Sequence, residues 1–175
     1  SGFRAAVIFL TPVASSILSE YISRRVMKRR QTVGDLSCVV TGVLLAMNLP
    51  VSISPIIAAF GGVIAIVVVK QMFGGIGQNF VNPALTARII LMNSFPAKMT
   101  AWTAPMDHSF SDAMTTATPL GVLSEGTGAA LPSYLDMFLG NTGGCLGETC
   151  ALALILVGIY LVARRVISPV IPVTY

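Results

Sequence analysis

The stretch from Asp107 to Gly121 concentrates side chains able to do chemistry: Asp107, His108, Ser109, Ser111, Asp112, Thr115, Thr116 and Thr118, ahead of Pro119. By residue type this is a hydroxyl-rich turn with carboxylates. Short runs of that composition are common, so spacing alone assigns no reaction. His108 is the single histidine and has no second ligand candidate beside it, so no metal site is expected. Cys38 falls in an apolar segment and reads as a small buried hydrophobe. Cys145 and Cys150 form C-x4-C, a poor zinc spacing. Cys150 is expected inside a helix, which disfavours a disulfide. Three thiols also fall short of the four an iron–sulfur cluster usually takes.

Three further features need weighing. Glu148 opens an apolar segment in Gly147-Glu148-Thr149. A carboxylate at a helix start is ordinarily a cap or dipole partner, while at a membrane boundary it can also belong to a cation pathway. Asp35, ahead of another apolar segment, is expected to be an N-terminal cap. Asn82-Pro83-Ala84 matches the half-helix motif of aquaporins. It occurs once and lacks an arginine three residues after the alanine, since position 87 is Ala87 and Arg88 is one further on. A helix starting there presents free N–H groups to a polar ligand; the plain alternative is a proline near a helix start.

The elements that position these residues follow from composition. Apolar residues make up 54% of the chain and charged residues 10%, with mean hydropathy +0.82. Soluble domains are about one-quarter charged, so the missing polar shell is lipid. No charged residue or histidine occurs over 36–69, 71–87 or 149–163. The net charge of +4 does not signal nucleic acid. Five of the eleven basic residues are Arg24, Arg25, Lys28, Arg29 and Arg30, flanking apolar segments; there they read as a topology signal or an anionic-lipid contact.

Five segments are candidates to cross: Phe3–Ile22, Leu36–Leu49, Ile53–Phe73, Phe80–Phe95 and Glu148–Ile167. The first, third and fifth reach the roughly 20 residues of a straight span. The second and fourth are short and bounded by Pro50, Pro55 and Pro83, as in broken or re-entrant helices. Placing the 24–30 cluster inside puts 96–147 outside and Arg164 and Arg165 inside. The outer stretch carries Lys98 alone against Asp107, Asp112, Glu125 and Asp136. Arg88, within the fourth segment, is expected either to pair in the protein interior or to snorkel from near the inner end. The expected fold is an all-α integral membrane bundle with short or broken helices. Residues 1–95 hold membrane helices, 96–147 form an outward loop, 148–167 a further helix, and 168–175 begin the next segment. The chain starts at Ser1 without methionine and reads as an internal fragment.

Asp112-Ala113-Met114-Thr115-Thr116-Ala117-Thr118 resembles the flavinylation motif Asp-x-x-(Ser/Thr)-Gly-Ala-(Ser/Thr). With Lys70-Gln71-Met72-Phe73-Gly74-Gly75-Ile76-Gly77-Gln78-Asn79-Phe80-Val81-Asn82-Pro83-Ala84 before it and Gly144-Cys145-Leu146-Gly147-Glu148-Thr149-Cys150 after it, the chain resembles the RnfD component of the Rnf electron-transport complex. The homologous membrane component of the sodium-pumping NADH:quinone reductase is the near relative. The resemblance covers essentially the whole chain. It implies helices two to six of a ten-helix fold of two inverted repeats. It also implies FMN joined to Thr118 by a phosphoester from a flavin transferase, with Asp112, Thr115 and Ala117 completing the attachment motif. Thr116 departs from the family's glycine. The resemblance further implies a bacterial or archaeal cell-membrane protein that acts with other membrane and peripheral subunits and is not catalytic alone. Electrons pass between ferredoxin and NAD, coupled to Na+ or H+ translocation, with Glu148 a candidate for the ion pathway. It allows a riboflavin elsewhere, to which no residue is assigned. A competing reading is a channel or secondary transporter using the Asn82–Ala84 half-helix and no redox group.

Overall fold

A computed structural model describes residues 2–102, 118, 120, 123–124, 133–147, 149–170 and 174. Among these every regular element is helical. The long first helix, α1, is Gly2–Val26. A single 3-10 turn at Val33–Asp35 leads into α2, Ser37–Met47. α3 begins at Pro55–Val63 and continues over Ile64–Gln71 with wider, i to i+5 hydrogen bonding. α4 is Pro83–Ser94 and α5 the short Pro96–Met99. α6 is Tyr134–Leu139 and α7 Ala151–Ala163.

α1, α2, α3 and α4 form one bundle, with α2 and α3 packed on α1 and α4 against α2 and α3. Its apolar core includes Ile8, Leu45, Leu49, Ala58, Ala87 and Leu91. α1 and α2 approach so closely that a Cβ on Gly42 would lie 2.7 Å from Val13 Cα. Small residues permit that contact, as in helix pairs within lipid.

Over its second half, from Ser16, the polarity of α1 is inverted relative to a soluble helix. Its buried face there carries Ser16, Ser19, Glu20, Ser23 and Arg24, while Leu18, Tyr21 and Ile22 are exposed. Water would penalise that arrangement; hydrocarbon favours it, because polar groups then find partners inside the protein. α7 is apolar all round and touches only α6 among the described helices.

Two expectations about length need correction. Among the described residues only α1, at 25 residues, is long and apolar enough to cross a membrane. The third segment gives a helix of Pro55–Gln71 and the fifth one of Ala151–Ala163, both shorter than a straight span. Ser54 and Pro55 start α3 late, and Arg165 ends α7 in a left-handed residue. Cys150 is likewise not inside a helix. It is the N-cap of α7, its Sγ accepting from Ala153 N at 3.4 Å.

Candidate functional site

The wider turns at the end of α3 place Val69, Lys70 and Gln71 together on the buried side. Lys70 is 3% exposed and Glu20, on the inward face of α1, is fully buried. Lys70 Nζ lies 3.0 Å from Glu20 Oε2 and donates to Ser37 Oγ at 2.6 Å. Ser37 Oγ in turn donates to Asp35 Oδ1, which also accepts from Ser37 N at 2.9 Å. Thr32 Oγ1 donates to the other Glu20 oxygen at 2.5 Å. Arg24 Nε stands 3.9 Å from that oxygen, near enough for charge attraction but beyond a hydrogen bond. Two carboxylates and two cations thus join α1, the turn before α2, and α3. Glu20, Arg24 and Lys70 are the buried members, and pairing with Glu20 together with multiple hydrogen bonds is what allows them in an apolar setting. The hydrogen bond from the Ser37 hydroxyl holds the exposed Asp35 carboxyl below the ordinary carboxylate range. Burial opposes this, while the Ser37 amide and the charges of Lys70 and Arg24 reinforce it.

The opposite end of the bundle gathers the roots of the 96–147 stretch. Arg4 donates to the carbonyls of Val51 and Ser52 at 3.1 and 2.9 Å, and Ser52 Oγ to Ala101 O. Leu146 N and Gly147 N donate to Leu49 O and Met47 O at 3.3 and 2.9 Å. A Cβ on Gly147 would fall 2.7 Å from Met47 Cβ, so only glycine allows this docking. Arg88 reaches the same place, donating to Asn48 Oδ1 at 2.8 Å and towards buried Cys145 Sγ at 3.6 Å. Arg88 is therefore paired within the protein, away from the 24–30 cluster, and does not snorkel from near the inner end.

Thr118 is partly buried in irregular backbone. A partly exposed threonine fits a phosphoester acceptor. Asp112, Thr115, Ala117 and Glu148 lie outside the described residues. Asn82 is the N-cap of α4, its Oδ1 accepting from Ala84 N and Leu85 N at 3.0 and 3.3 Å, with Pro83 in the first turn. Those two donors are satisfied within the chain and are not free for a polar ligand. Sequence reasoning passed over Glu20 and Lys70. The signal was present: each is an isolated charge at the end of an apolar segment, and such a charge calls for a partner.

The protein-family model described as "NQR2, RnfD, RnfE family" matches residues 1–175. The chain is 47% identical over 176 residues to the D-type subunit of the Na(+)-translocating ferredoxin:NAD(+) oxidoreductase complex of Acetobacterium woodii, covering 99% of this chain and 54% of that protein. It is 39% identical over 180 residues to the D-type subunit of the proton-translocating ferredoxin:NAD(+) oxidoreductase complex of Clostridium ljungdahlii, covering 98% and 54%. Against the B-type subunit of the Na(+)-translocating NADH-quinone reductase of Azotobacter vinelandii it is 38% identical over 130 residues, covering 73% and 32%. The chain spans about half the length of the two ferredoxin:NAD(+) oxidoreductase relatives. By the match along its whole length, the chain belongs to the NQR2, RnfD, RnfE family.

Proposed function

We propose that this chain is part of the RnfD-type membrane subunit of an ion-translocating ferredoxin:NAD+ oxidoreductase complex, and that it carries FMN on Thr118. The observation that carries the reading is the fuller and higher match to the ferredoxin:NAD+ oxidoreductase relative, 47% identity over 99% of the chain, against 38% over 73% for the quinone-reductase relative. The protein is a multi-pass component of a bacterial or archaeal cell membrane. The 24–30 cluster and Arg164–Arg165 face the cytoplasm and 96–147 lies outside, as the distribution of basic residues supports. It acts with other membrane and peripheral subunits of the complex, and a flavin transferase matures it.

Attachment replaces the Thr118 Oγ–H bond with an Oγ–P bond to the FMN half of a flavin dinucleotide donor, with Asp112, Thr115 and Ala117 as the motif. The donor's pyrophosphate P–O bond breaks to release the nucleoside monophosphate, and that leaving group takes up the proton. Bound FMN supplies one-electron redox chemistry; the protein supplies position and electrostatics. A covalent tether suits an outer-face cofactor, because a weakly held one would be lost to the surrounding volume. The stretch that bears Thr118 is rooted in the bundle through Ala101 on one side and Leu146 and Gly147 on the other. For the ion-coupling element the candidate carboxylates are Glu148, at a membrane boundary in the sequence, and the buried Glu20, which is paired with Lys70.

The test is co-expression of the full-length protein with its flavin transferase, followed by a denaturing gel read for flavin fluorescence. Wild type is expected to fluoresce and Thr118→Ala to be dark. Fluorescence surviving in Thr118→Ala moves the tether to Thr116 or Thr115. A dark, fully expressed wild type refutes the flavin reading.

A further inference from the structure

α1 and α7 end in the same way. After α1, Arg29 N donates to Arg24 O at 2.9 Å and Lys28 N to Arg25 O at 3.2 Å, with Lys28 left-handed at φ 53. After α7, Val166 N donates to Leu161 O at 3.0 Å and Arg165 N to Val162 O at 2.9 Å, with Arg165 left-handed at φ 56. Both are Schellman closures, whose left-handed position is normally glycine because a Cβ is strained there. Of the three left-handed non-glycine residues described, two are these cations and the third is Leu36. Non-glycine residues persist in that conformation where another interaction compensates, often at ligand clamps.

The charges themselves are available. Lys28, Arg30, Arg164 and Arg165 are exposed. Among the described residues the only ion pairs are those of Glu20 with Arg24 and Lys70. Each cation group caps an apolar sleeve. Ile22 and Val26 are 50% and 76% exposed beside the first group, and Tyr160 and Val166 are 61% and 66% exposed beside the second. Apolar sleeve followed by cation is the profile of a phospholipid, acyl chain followed by phosphate. An acidic soluble partner would meet the cations but gain nothing from the sleeve.

We propose that Lys28 and Arg165, supported by Arg30 and Arg164, bind the headgroup phosphates of anionic phospholipids, a role that favours cations over glycine at these two helix ends. The inference rests on the membrane-protein reading above only in taking both helices as lipid-embedded.

The test uses the full-length protein in its complex, in nanodiscs of phosphatidylcholine containing phosphatidylglycerol. Retained lipid is counted after extraction and native mass spectrometry. Lys28→Gly with Arg165→Gly removes both charges while giving each closure its preferred residue, so the fold is preserved or stabilised. Wild type is expected to enrich phosphatidylglycerol over phosphatidylcholine, and the double glycine variant to lose at least about tenfold of that preference. Lys28→Arg with Arg165→Lys should retain it. An unchanged preference in the double glycine variant overturns the proposal. So does displacement of phosphatidylglycerol by millimolar inorganic phosphate, which points to a free-phosphate site. Equal retention of both lipids by wild type, with salt-sensitive loss of a peripheral subunit in the variant, overturns it in favour of an acidic protein partner. Flavin fluorescence of the same samples reports separately on the redox reading, and nanodiscs expose both faces, so assigned sidedness does not affect the outcome.

Discussion

Replacing Lys70 by Met puts the polar cluster to its most direct test. The ammonium lies 3.0 Å from Glu20 and 2.6 Å from Ser37 Oγ, and both charged side chains are nearly or fully buried. At an effective dielectric of about 20, the charge attraction at that separation is roughly 5 kcal/mol. Arg24 remains 3.9 Å from the carboxylate and retains part of the compensation. Desolvation of the ammonium, now avoided, offsets more. The net cost of stranding Glu20 is therefore expected at about 3–5 kcal/mol. Glu20→Gln added to Lys70→Met keeps an acceptor for Thr32 and removes the uncompensated charge, so the double variant should recover to within about 2 kcal/mol of wild type. The measurement is unfolding of the detergent-solubilised protein by sodium dodecyl sulfate, followed by far-ultraviolet circular dichroism. A Lys70→Met loss below about 1 kcal/mol would refute the reasoning. So would strictly additive single-variant losses, because they would mean the two charges do not interact.

Three smaller perturbations probe the rest of the frame. Gly147→Ala drives a Cβ to 2.7 Å from Met47 Cβ; it should cost about 1–3 kcal/mol and, by limited proteolysis, speed cleavage within 96–147. Asn82→Ala leaves the amides of Ala84 and Leu85 without their cap and should lower stability by about 1 kcal/mol, whereas Asn82→Asp should not. Asp35 has a lowered folded pKa, so its contribution is full above the ordinary aspartate value of about 4 and is lost as pH falls through the lowered value. Unfolding midpoints measured from neutral pH down through that range should show an acid-limb loss in wild type that Asp35→Asn lacks.

The helices were legible where apolar length and proline punctuation coincide. Pro55 and Pro83 stand in the first turns of α3 and α4, as their residue type favours. The ends of α3 and α7 were not, because an apolar run reports what lipid or core will accept and not where hydrogen bonding stops. The left-handed stop at Arg165 has no compositional marker, since glycine is the usual one. Asp35 was readable as a capping side chain, but Leu36 occupies the N-cap position of α2, and the Asp35 carboxyl, one residue earlier, accepts from the Ser37 amide and hydroxyl. Arg88 was readable as a charge in need of a partner. Its partners were not, because Cys145 lies 57 positions away in a segment that only tertiary docking brings to Asn48. Glu20 and Lys70, 50 positions apart, are joined by the same kind of long-range closure.

The short helices raise the question of how their ends survive in apolar surroundings. α2 has eleven residues and α4 twelve, about 16 and 18 Å against a hydrocarbon thickness of about 30 Å. Ends at that depth leave backbone groups with no water to meet, each costing several kcal/mol. The chain supplies partners at both ends of α2. Asp35 takes the Ser37 amide, Asn48 Nδ2 donates to Leu44 O at 2.8 Å, and the amides of Leu146 and Gly147 reach Leu49 O and Met47 O. At α4, Asn82 takes two amides at the start and Asn93 Nδ2 donates to Ile89 O at 3.0 Å near the finish. The 144–147 segment is thus more than the far root of a loop. Its two amides replace the water that the end of α2 would otherwise require, so the stretch bearing Thr118 is anchored by the hydrogen bonds that let α2 be short.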